Sequence, residues 1–399
     1  MSLITLDDLG LETLRGQRVL VRVDFNVPLA DGEVVDTTRL DEALPTLRQL
    51  ADAGARTILV SHCGRPKGVP EERFSLRPVA AKLAELLGRP VAFGADCVGA
   101  PAEETVAGLA DGDFCLLENL RFHAGEKAND PAFADALASL ADVFVGDAFG
   151  TAHRAHASVV GVAERLERKA AGRLLVREVE ALGALLGEPD RPFIGVLGGA
   201  KIEGKIDTLE NLLPRLDVLV LGGGMANTFL AARGLDLANS LVERERIELA
   251  REILLRAEGA NTQVLLPIDL VVTDDLGNPG RIETVMASAV PEGTMAVDVG
   301  EKSRRAFVQA CGQAATLFWN GPLGVFEKPP FDAGTQAVAD SLRTSSAFTV
   351  VGGGETVAAV RRAGVADALS HVSTGGGASL ELLAGKTLPG VTALERRTS

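Results

Sequence analysis

At 399 residues the chain is too long for one hydrophobic core to grow comfortably, and its length favours two domains. With 46% hydrophobic and 24% charged residues it has the composition of a globular protein, which argues against disorder. The formal net charge of −14 excludes a blanket attraction for nucleic acid or anionic membrane, so any anion has to be held by locally placed Arg, Lys and His.

Residues 1–10 carry Asp7 and Asp8 and no apolar run, which predicts neither a signal nor a transit peptide, and no stretch is apolar enough to span a bilayer. Short β-branched runs then alternate with longer amphipathic stretches, the pattern of repeated βαβ units and mostly parallel sheets. In the first half the predicted strands are Val19–Val23, Thr57–Ser61, Phe114–Leu117 and Val143–Gly146. Ala170–Leu186, rich in Leu, Val, Glu and Arg and closed by Gly187, Glu188 and Pro189, reads as a connecting helix. In the second half the predicted strands are Phe193–Leu197, Val218–Leu221, Gln263–Leu266, Thr316–Trp319, Phe348–Val351 and His371–Ser373. The expected fold is therefore α/β, with two doubly wound parallel-sheet, Rossmann-like domains joined by a helix. Residues 1–170 form the first domain, 171–188 the helix and 189–385 the second domain.

Open parallel sheets bind ligands beyond the carboxyl ends of their strands, so the residues following each run are the ones to inspect. In the first half these ends carry side chains: Asp24 and Asn26, then His62 and Arg65, then Arg121, then His153, Arg154 and His156, with Arg39 nearby in sequence. Guanidinium groups converging on one sheet edge repel unless an anion sits among them, and their fork geometry matches phosphate and carboxylate. A small polyanion is the expected guest. His153 and His156 lack a third metal ligand and read as imidazole donors or packed histidines. In the second half the strand ends carry glycine: Gly198-Gly199-Ala200-Lys201, Gly222-Gly223-Gly224, Asn320-Gly321-Pro322, Gly352-Gly353-Gly354 and Gly375-Gly376-Gly377. Backbone without Cβ can approach a flat base or a phosphate closely, and a Gly-rich turn opening a helix aims free N–H groups at phosphate. This half is expected to hold a nucleotide.

The standard phosphate-loop pattern is absent, since Gly385-Lys386-Thr387 has Leu380 where the earlier glycine belongs, and no Gly-x-Gly-x-x-Gly occurs, which disfavours a Rossmann oxidoreductase. Cys63, Cys97, Cys115 and Cys311 show no paired spacing and read as reduced structural thiols rather than a disulfide frame or a zinc site.

Taken together the motifs closely resemble those of the phosphoglycerate kinase family. They are Val23-Asp24-Phe25-Asn26-Val27-Pro28, Ser61-His62-Cys63-Gly64-Arg65-Pro66, Glu118-Asn119-Leu120-Arg121, Gly146-Asp147-Ala148-Phe149-Gly150-Thr151-Ala152-His153-Arg154, Gly198-Gly199-Ala200-Lys201, Trp319-Asn320-Gly321-Pro322 and Ser373-Thr374-Gly375-Gly376-Gly377-Ala378-Ser379, in the family's order. The resemblance implies reversible phosphoryl transfer between 1,3-bisphosphoglycerate with MgADP and 3-phosphoglycerate with MgATP, in a cleft between two domains that close by a hinge. It implies glycerate binding by Asp24, Asn26, Arg39, His62, Arg65, Arg121 and Arg154. It gives Lys201, Lys205, Asn320, Glu327, Gly352, Gly353, Gly354, Glu355 and Thr356 to the nucleotide, and Gly375 and Gly376 to the transferring phosphoryl group. Arg39, Lys205 and Lys201, with the amides of Gly375 and Gly376, form the expected catalytic set. Two positions depart from the family pattern: Glu355 replaces its Asp associated with nucleotide-bound magnesium, with contact expected through a water, and Cys63 replaces its Leu. The tail 386–399 is expected to return to the first domain, because Leu388-Pro389-Gly390-Val391 resembles the family's returning segment. A cytoplasmic monomer without nucleic-acid or membrane partners is the expected state. A weakly catalytic nucleotide and anion sensor on the same scaffold is the rival reading.

Overall fold

The computed structural model describes residues 2–396. It resolves into two compact units, one running to Glu180 and resuming at Thr387, the other spanning Ala181–Lys386.

The strands of the first unit are β1 (Arg18–Val23), β2 (Leu29–Ala30), β3 (Glu33–Val34), β4 (Arg56–Val60), β5 (Val91–Gly94), β6 (Phe114–Leu117), β7 (Val143–Asp147) and β8 (Lys169–Ala171). Six of them form one parallel sheet in the order β5-β6-β4-β1-β7-β8, while β2 and β3 pair as a short hairpin. Val19, Val21 and Val23 alternate along β1 to one face of the sheet. Leu40, Leu44, Leu47 and Leu50, spaced by three or four residues on the helix Thr38–Asp52, belong to the same core. Helices on both faces bury the strands on both sides, as parallel sheets require.

The second unit repeats the scheme with β9 (Phe193–Leu197), β10 (Val218–Leu221), β11 (Gln263–Leu265), β12 (Asp269–Thr273), β13 (Ile282–Met286), β14 (Met295–Val299), β15 (Thr316–Asn320), β16 (Phe348–Gly352) and β17 (His371–Val372). Its parallel sheet runs β11-β10-β9-β15-β16-β17. In each unit the chain starts in a central strand, builds outward on one side, then crosses to the other. The topological switch points lie between β1 and β7 and between β9 and β15, which is where ligand crevices form.

Four features differ from the sequence expectation. Ala170 and Ala171 do not open the connecting helix; they are buried in the edge strand β8, paired with Val145 and Gly146 of β7. The helix begins at Arg173, its N-terminal N–H groups capped from outside: Arg173 N–H donates to Thr46 Oγ1 at 2.8 Å and Leu175 N–H to Asp147 Oδ1 at 3.1 Å. Strands β12, β13 and β14 form an antiparallel sheet that was not expected, because Asp269–Thr273 is followed by a turn rich in Asp, Gly, Asn and Pro rather than by a helix. The edge strands β5 and β8 were also unexpected, being short and poor in β-branched residues. Lys386 pairs with Asp207 at 2.6 Å and belongs to the second unit.

From Thr387 the chain is part of the first unit. Leu388, Val391 and Leu394 are buried, Gly390 N–H donates to Ala152 O at 2.8 Å, and Ile4 N–H donates to Leu394 O at 2.9 Å. A Cβ on Gly146 would lie 2.6 Å from Leu394 Cδ1, so the glycine at the end of β7 makes room for the leucine. Residues 397–399 of the expected tail lie outside the described residues. Leu394→Ala is expected to destabilise the first unit by about 2–4 kcal/mol, since the vacated volume is walled by strand and cannot collapse. Chemical denaturation of the full chain checks this; a midpoint unchanged from wild type would show that the tail contributes no packing energy.

Candidate functional site

The first unit gathers charged and polar side chains at the edge of its sheet around the switch point. Beyond β1, Asp24 Oδ2 accepts a hydrogen bond from Arg39 Nη1 at 2.8 Å, and this pair is partly buried. Asn26 Oδ1 accepts the N–H of Gly64 at 2.8 Å, tying the loop after β1 to the loop after β4. Arg121, beyond β6, is buried; its Nη1 donates to Gly64 O at 2.7 Å, while its Nε has no protein partner. Asn119 supports this loop by donating to the carbonyls of Cys63 and Phe74. Arg65 and Arg154 are exposed, and Arg154 Nε donates to His153 Nε2 at 3.0 Å.

Beneath these groups runs a buried network that sequence reasoning missed. Arg22, next to the last residue of β1, is 1% exposed. Its Nε donates to Ser158 Oγ at 3.0 Å, its Nη1 to Val23 O, and its Nη2 to His62 Nδ1 at 3.2 Å. Ser158 donates in turn, through Oγ and N–H, to the fully buried carboxylate of Glu126 at 2.6 and 3.0 Å. The visible signal was a lone charge inside Val-Leu-Val-Arg-Val; a charge in such a run needs a buried partner.

The electrostatics follow. Burial, then the fields of Arg22, Arg121, Arg39 and Arg154, push the His62 pKa well below its ordinary value. The ring is neutral, and because Nδ1 accepts from Arg22 its proton sits on Nε2, making it a donor. The 3.8 Å approach of His62 Nδ1 to Asp24 is accordingly not an ion pair. Burial, and then Arg22, Arg121 and Arg154, lower the His156 pKa to about 4. Burial, with Arg154 and Arg22, brings Arg121 down to about 10. The cluster is cationic and short of anions, so a ligand with several negative charges relieves repulsion built into the fold.

The second unit places a pocket of about 280 Å³ beside the ends of β9, β10 and β15. Gly199, Gly223 and Gly224 line one wall, Leu241 and Leu270 are apolar surfaces, and Met295–Val299 of β14 forms part of the floor, so the unexpected antiparallel sheet builds the pocket. Glu327 and Glu355 stand at it, both exposed.

The glycines of this half divide into two groups. A Cβ on Gly198 would lie 2.1 Å from Pro322 O, and one on Gly321 2.2 Å from Gly198 O. These glycines let the ends of β9 and β15 touch backbone to backbone, where Gly199 N–H donates to Pro322 O at 2.7 Å. Gly354, Gly376 and Gly377 have open space where a Cβ would stand, and lie at the N-termini of the helices Gly354–Arg362 and Gly377–Leu383. Only this second group offers unobstructed backbone to a phosphate.

Lys205 is partly buried, its Nζ donating to Gly198 O; burial lowers its pKa and the carboxylate of Glu355 opposes that shift. Lys201 is exposed. Thr356 is buried and its Oγ1 accepts Gly321 N–H at 2.6 Å, so this hydroxyl ties β15 to the helix that Gly354 opens. Asn320 is 2% exposed, and its Nδ2 is buried without a protein partner next to Gly353. Gly352 ends β16, whereas Gly375 N–H is turned to Ser373 Oγ at 3.2 Å. Asp24 is thus paired with Arg39, Asn26 and Arg121 meet through Gly64, and His62 is held from beneath by Arg22, while Lys205, Asn320, Glu355 and Thr356 gather around β15 and β16.

A family model described as phosphoglycerate kinase matches residues 6–386. The chain is 51% identical over 399 residues to the phosphoglycerate kinase of Synechococcus elongatus, covering 99% of both chains. It is 52% identical over 402 residues to that of Salinispora tropica, covering 99% of this chain and all of the relative. Its fold superposes on the structure of phosphoglycerate kinase from Coxiella burnetii with a TM-score of 0.88 at 39% identity, covering 98% of each chain.

Because the folded pKa values of His62 and His156 lie below the unfolded value of about 6.5, the unfolded chain takes up protons that the folded chain refuses. These two groups therefore withdraw stability as the pH falls from about 6.5 toward 4. Ring carbon and nitrogen shifts measured by NMR should show both imidazoles neutral at pH 5.5; a midpoint above 6 for either would contradict the buried arginine network.

Proposed function

The chain belongs to the phosphoglycerate kinase family, and we infer that its first unit holds the glycerate and its second the nucleotide. The reaction is the reversible phosphoryl transfer between 1,3-bisphosphoglycerate with ADP and 3-phosphoglycerate with ATP, a step of glycolysis and gluconeogenesis. The observation that carries the division is the contrast between a buried cationic network at one switch point and an apolar, glycine-walled pocket at the other.

In the direction of ATP use, the carboxylate of 3-phosphoglycerate is already ionised and is itself the nucleophile. No proton has to be abstracted, so the protein's work is positioning and charge compensation. Arg65, Arg121 and Arg154 hold the anionic groups of the glycerate, with neutral His62 donating from Nε2. Asp24 and Asn26 orient the substrate, and Asp24 also aims Arg39. Arg39, Lys205 and Lys201 offset charge on the equatorial oxygens of the transferring group, and the Gly376 amide adds a fixed dipole, while the Gly375 N–H, expected from the sequence to act with it, is occupied by Ser373 Oγ. Asn320, Glu327, Glu355 and the run Gly352–Gly354 hold the nucleotide, with Thr356 positioning that loop through Gly321. Transfer requires the two ligands to meet away from water, which would otherwise hydrolyse the acyl phosphate, and hinge closure is the step we assign to this.

The family's nucleotide generally carries magnesium. An exposed carboxylate such as Glu355 beside a polyphosphate is a donor set that magnesium accepts, since it keeps several waters and takes most of its remaining ligands from phosphate. When bound, the ion would neutralise phosphate charge; Glu355 would hold it through a water, which absorbs the extra methylene relative to the family's Asp. No helix among the described residues is long and apolar enough to cross a membrane. Four free, buried cysteines suit a reducing compartment, and we place the chain in the cytoplasm as a monomer.

A coupled assay of ATP-dependent phosphorylation of 3-phosphoglycerate tests the whole reading, and a chain that binds both ligands without turnover would be the sensor instead. Arg39→Ala should lower kcat by about 10²–10³ and leave MgADP affinity near normal; a variant within a few-fold of wild type would remove Arg39 from the chemistry. Glu355→Asp should change kcat only a few-fold, whereas Glu355→Gln should raise the magnesium requirement clearly. An unchanged magnesium titration in Glu355→Gln would show that this carboxylate does not serve the ion.

A further inference from the structure

Away from both sites, the first unit gathers three side chains that the reaction does not use. Asp96 and Cys97 follow β5, and His123 follows β6 after the short turn Leu120–Phe122. Since β5 and β6 are adjacent and parallel, their carboxyl ends deliver these residues to one place. A carboxylate oxygen of Asp96, Sγ of Cys97 and a ring nitrogen of His123 all lie within 4.8 Å of one another. Asp96 Oδ1 and His123 Nε2 are 2.7 Å apart, and the backbone N–H of Cys97 donates to the same Asp96 oxygen at 2.6 Å. The His123 ring is stacked on Phe133, with centroids 5.1 Å apart, which fixes its plane. Cys97 is fully buried, while the Asp96 and His123 side chains are 40% and 31% exposed.

We propose that Asp96, Cys97 and His123 form a binding site for a borderline transition-metal dication of the zinc class, distinct from the magnesium that travels with nucleotide. One sulfur, one imidazole nitrogen and one carboxylate oxygen suit zinc or cobalt, whereas magnesium and calcium take oxygen donors. The buried sulfur forms the floor and the two exposed groups the rim, leaving the fourth position open to water, as in three-ligand zinc sites. A tetrahedral ion with bonds of roughly 2.0–2.3 Å keeps its donors about 3.5 Å apart, so the Asp96–His123 contact opens by under ~1 Å and the widest separation closes by at most ~1.3 Å. The ion replaces the proton shared by Asp96 and His123 and the proton of the thiol: as the metal–sulfur bond forms, the thiol proton leaves to solvent. The cysteine spacing in the sequence conceals the site because its third ligand comes from the next strand of the sheet.

The full chain, stripped by a chelator and returned to metal-free buffer, is titrated with cobalt(II) and, separately, with zinc(II) against a chromophoric chelator. Wild type should bind one equivalent and develop a thiolate-to-cobalt charge-transfer absorption. Cys97→Ser should abolish that absorption, and His123→Asn should weaken binding at least tenfold. If Cys97→Ser does not fold, as judged by circular dichroism, His123→Asn on the exposed rim decides alone. Less than one equivalent bound by wild type, an absorption that survives in Cys97→Ser, or wild-type affinity in His123→Asn each overturns the proposal.

Discussion

Arg22 lies within a parallel sheet, 1% exposed, and a positive charge there is tolerable only where fixed acceptors and a buried countercharge surround it. Ser158, the Val23 carbonyl and His62 are those acceptors, and Glu126 behind Ser158 is the countercharge. That constraint propagates outward. His62 has to be neutral to accept from Arg22, its proton then stands on Nε2, and the histidine after β4 presents an N–H donor rather than a charge. The exposed arginines could be lost singly without disturbing the fold, whereas breaking the Arg22–Glu126 pairing would leave an unmatched buried charge.

The second unit solves the opposite problem. Nothing there concentrates charge; the ends of β9 and β15 are brought so close that only glycine fits between their backbones. This contact fixes Gly321, whose N–H holds Thr356 and whose carbonyl accepts the indole of the fully buried Trp319 at 2.9 Å. The open glycines are therefore carried on a rigid base. Their exposed amides keep a defined direction even though the residues have no side chains to anchor them.

Much of this was legible in the residues. The ten predicted strands are all present with ends within a residue or so, because Val-, Leu- and Phe-rich runs closed by glycine or a charged residue are unambiguous when both faces are buried. The strand ends that carry the candidate site residues were legible too, since the parallel topology says where to look. What escaped was what depends on partners distant in sequence. Lys169–Ala171 joins the sheet only because β7 offers it an edge. The antiparallel strands have mixed exposure, with burial alternating along Ile282–Met286. Glycines packed against backbone and glycines open to solvent read identically in sequence. Glu126 lies in a short polar helix, and nothing local marks it as the partner of a charge about a hundred residues earlier.

The segment from Thr387 completes the first unit, with Leu394 seated on Gly146 and Gly390 against Ala152, although it is synthesised after the whole of the second unit. Translation is vectorial, so a nascent chain can finish the second unit's β-α winding while the first still lacks part of its core. The first unit's parallel sheet, made early, waits on the ribosome with the surface around Gly146, Ala152 and Val159 uncovered. The order in which the units are written in the gene is thus the reverse of the order in which they can be sealed, and chaperone contact during synthesis would be concentrated on the earlier half.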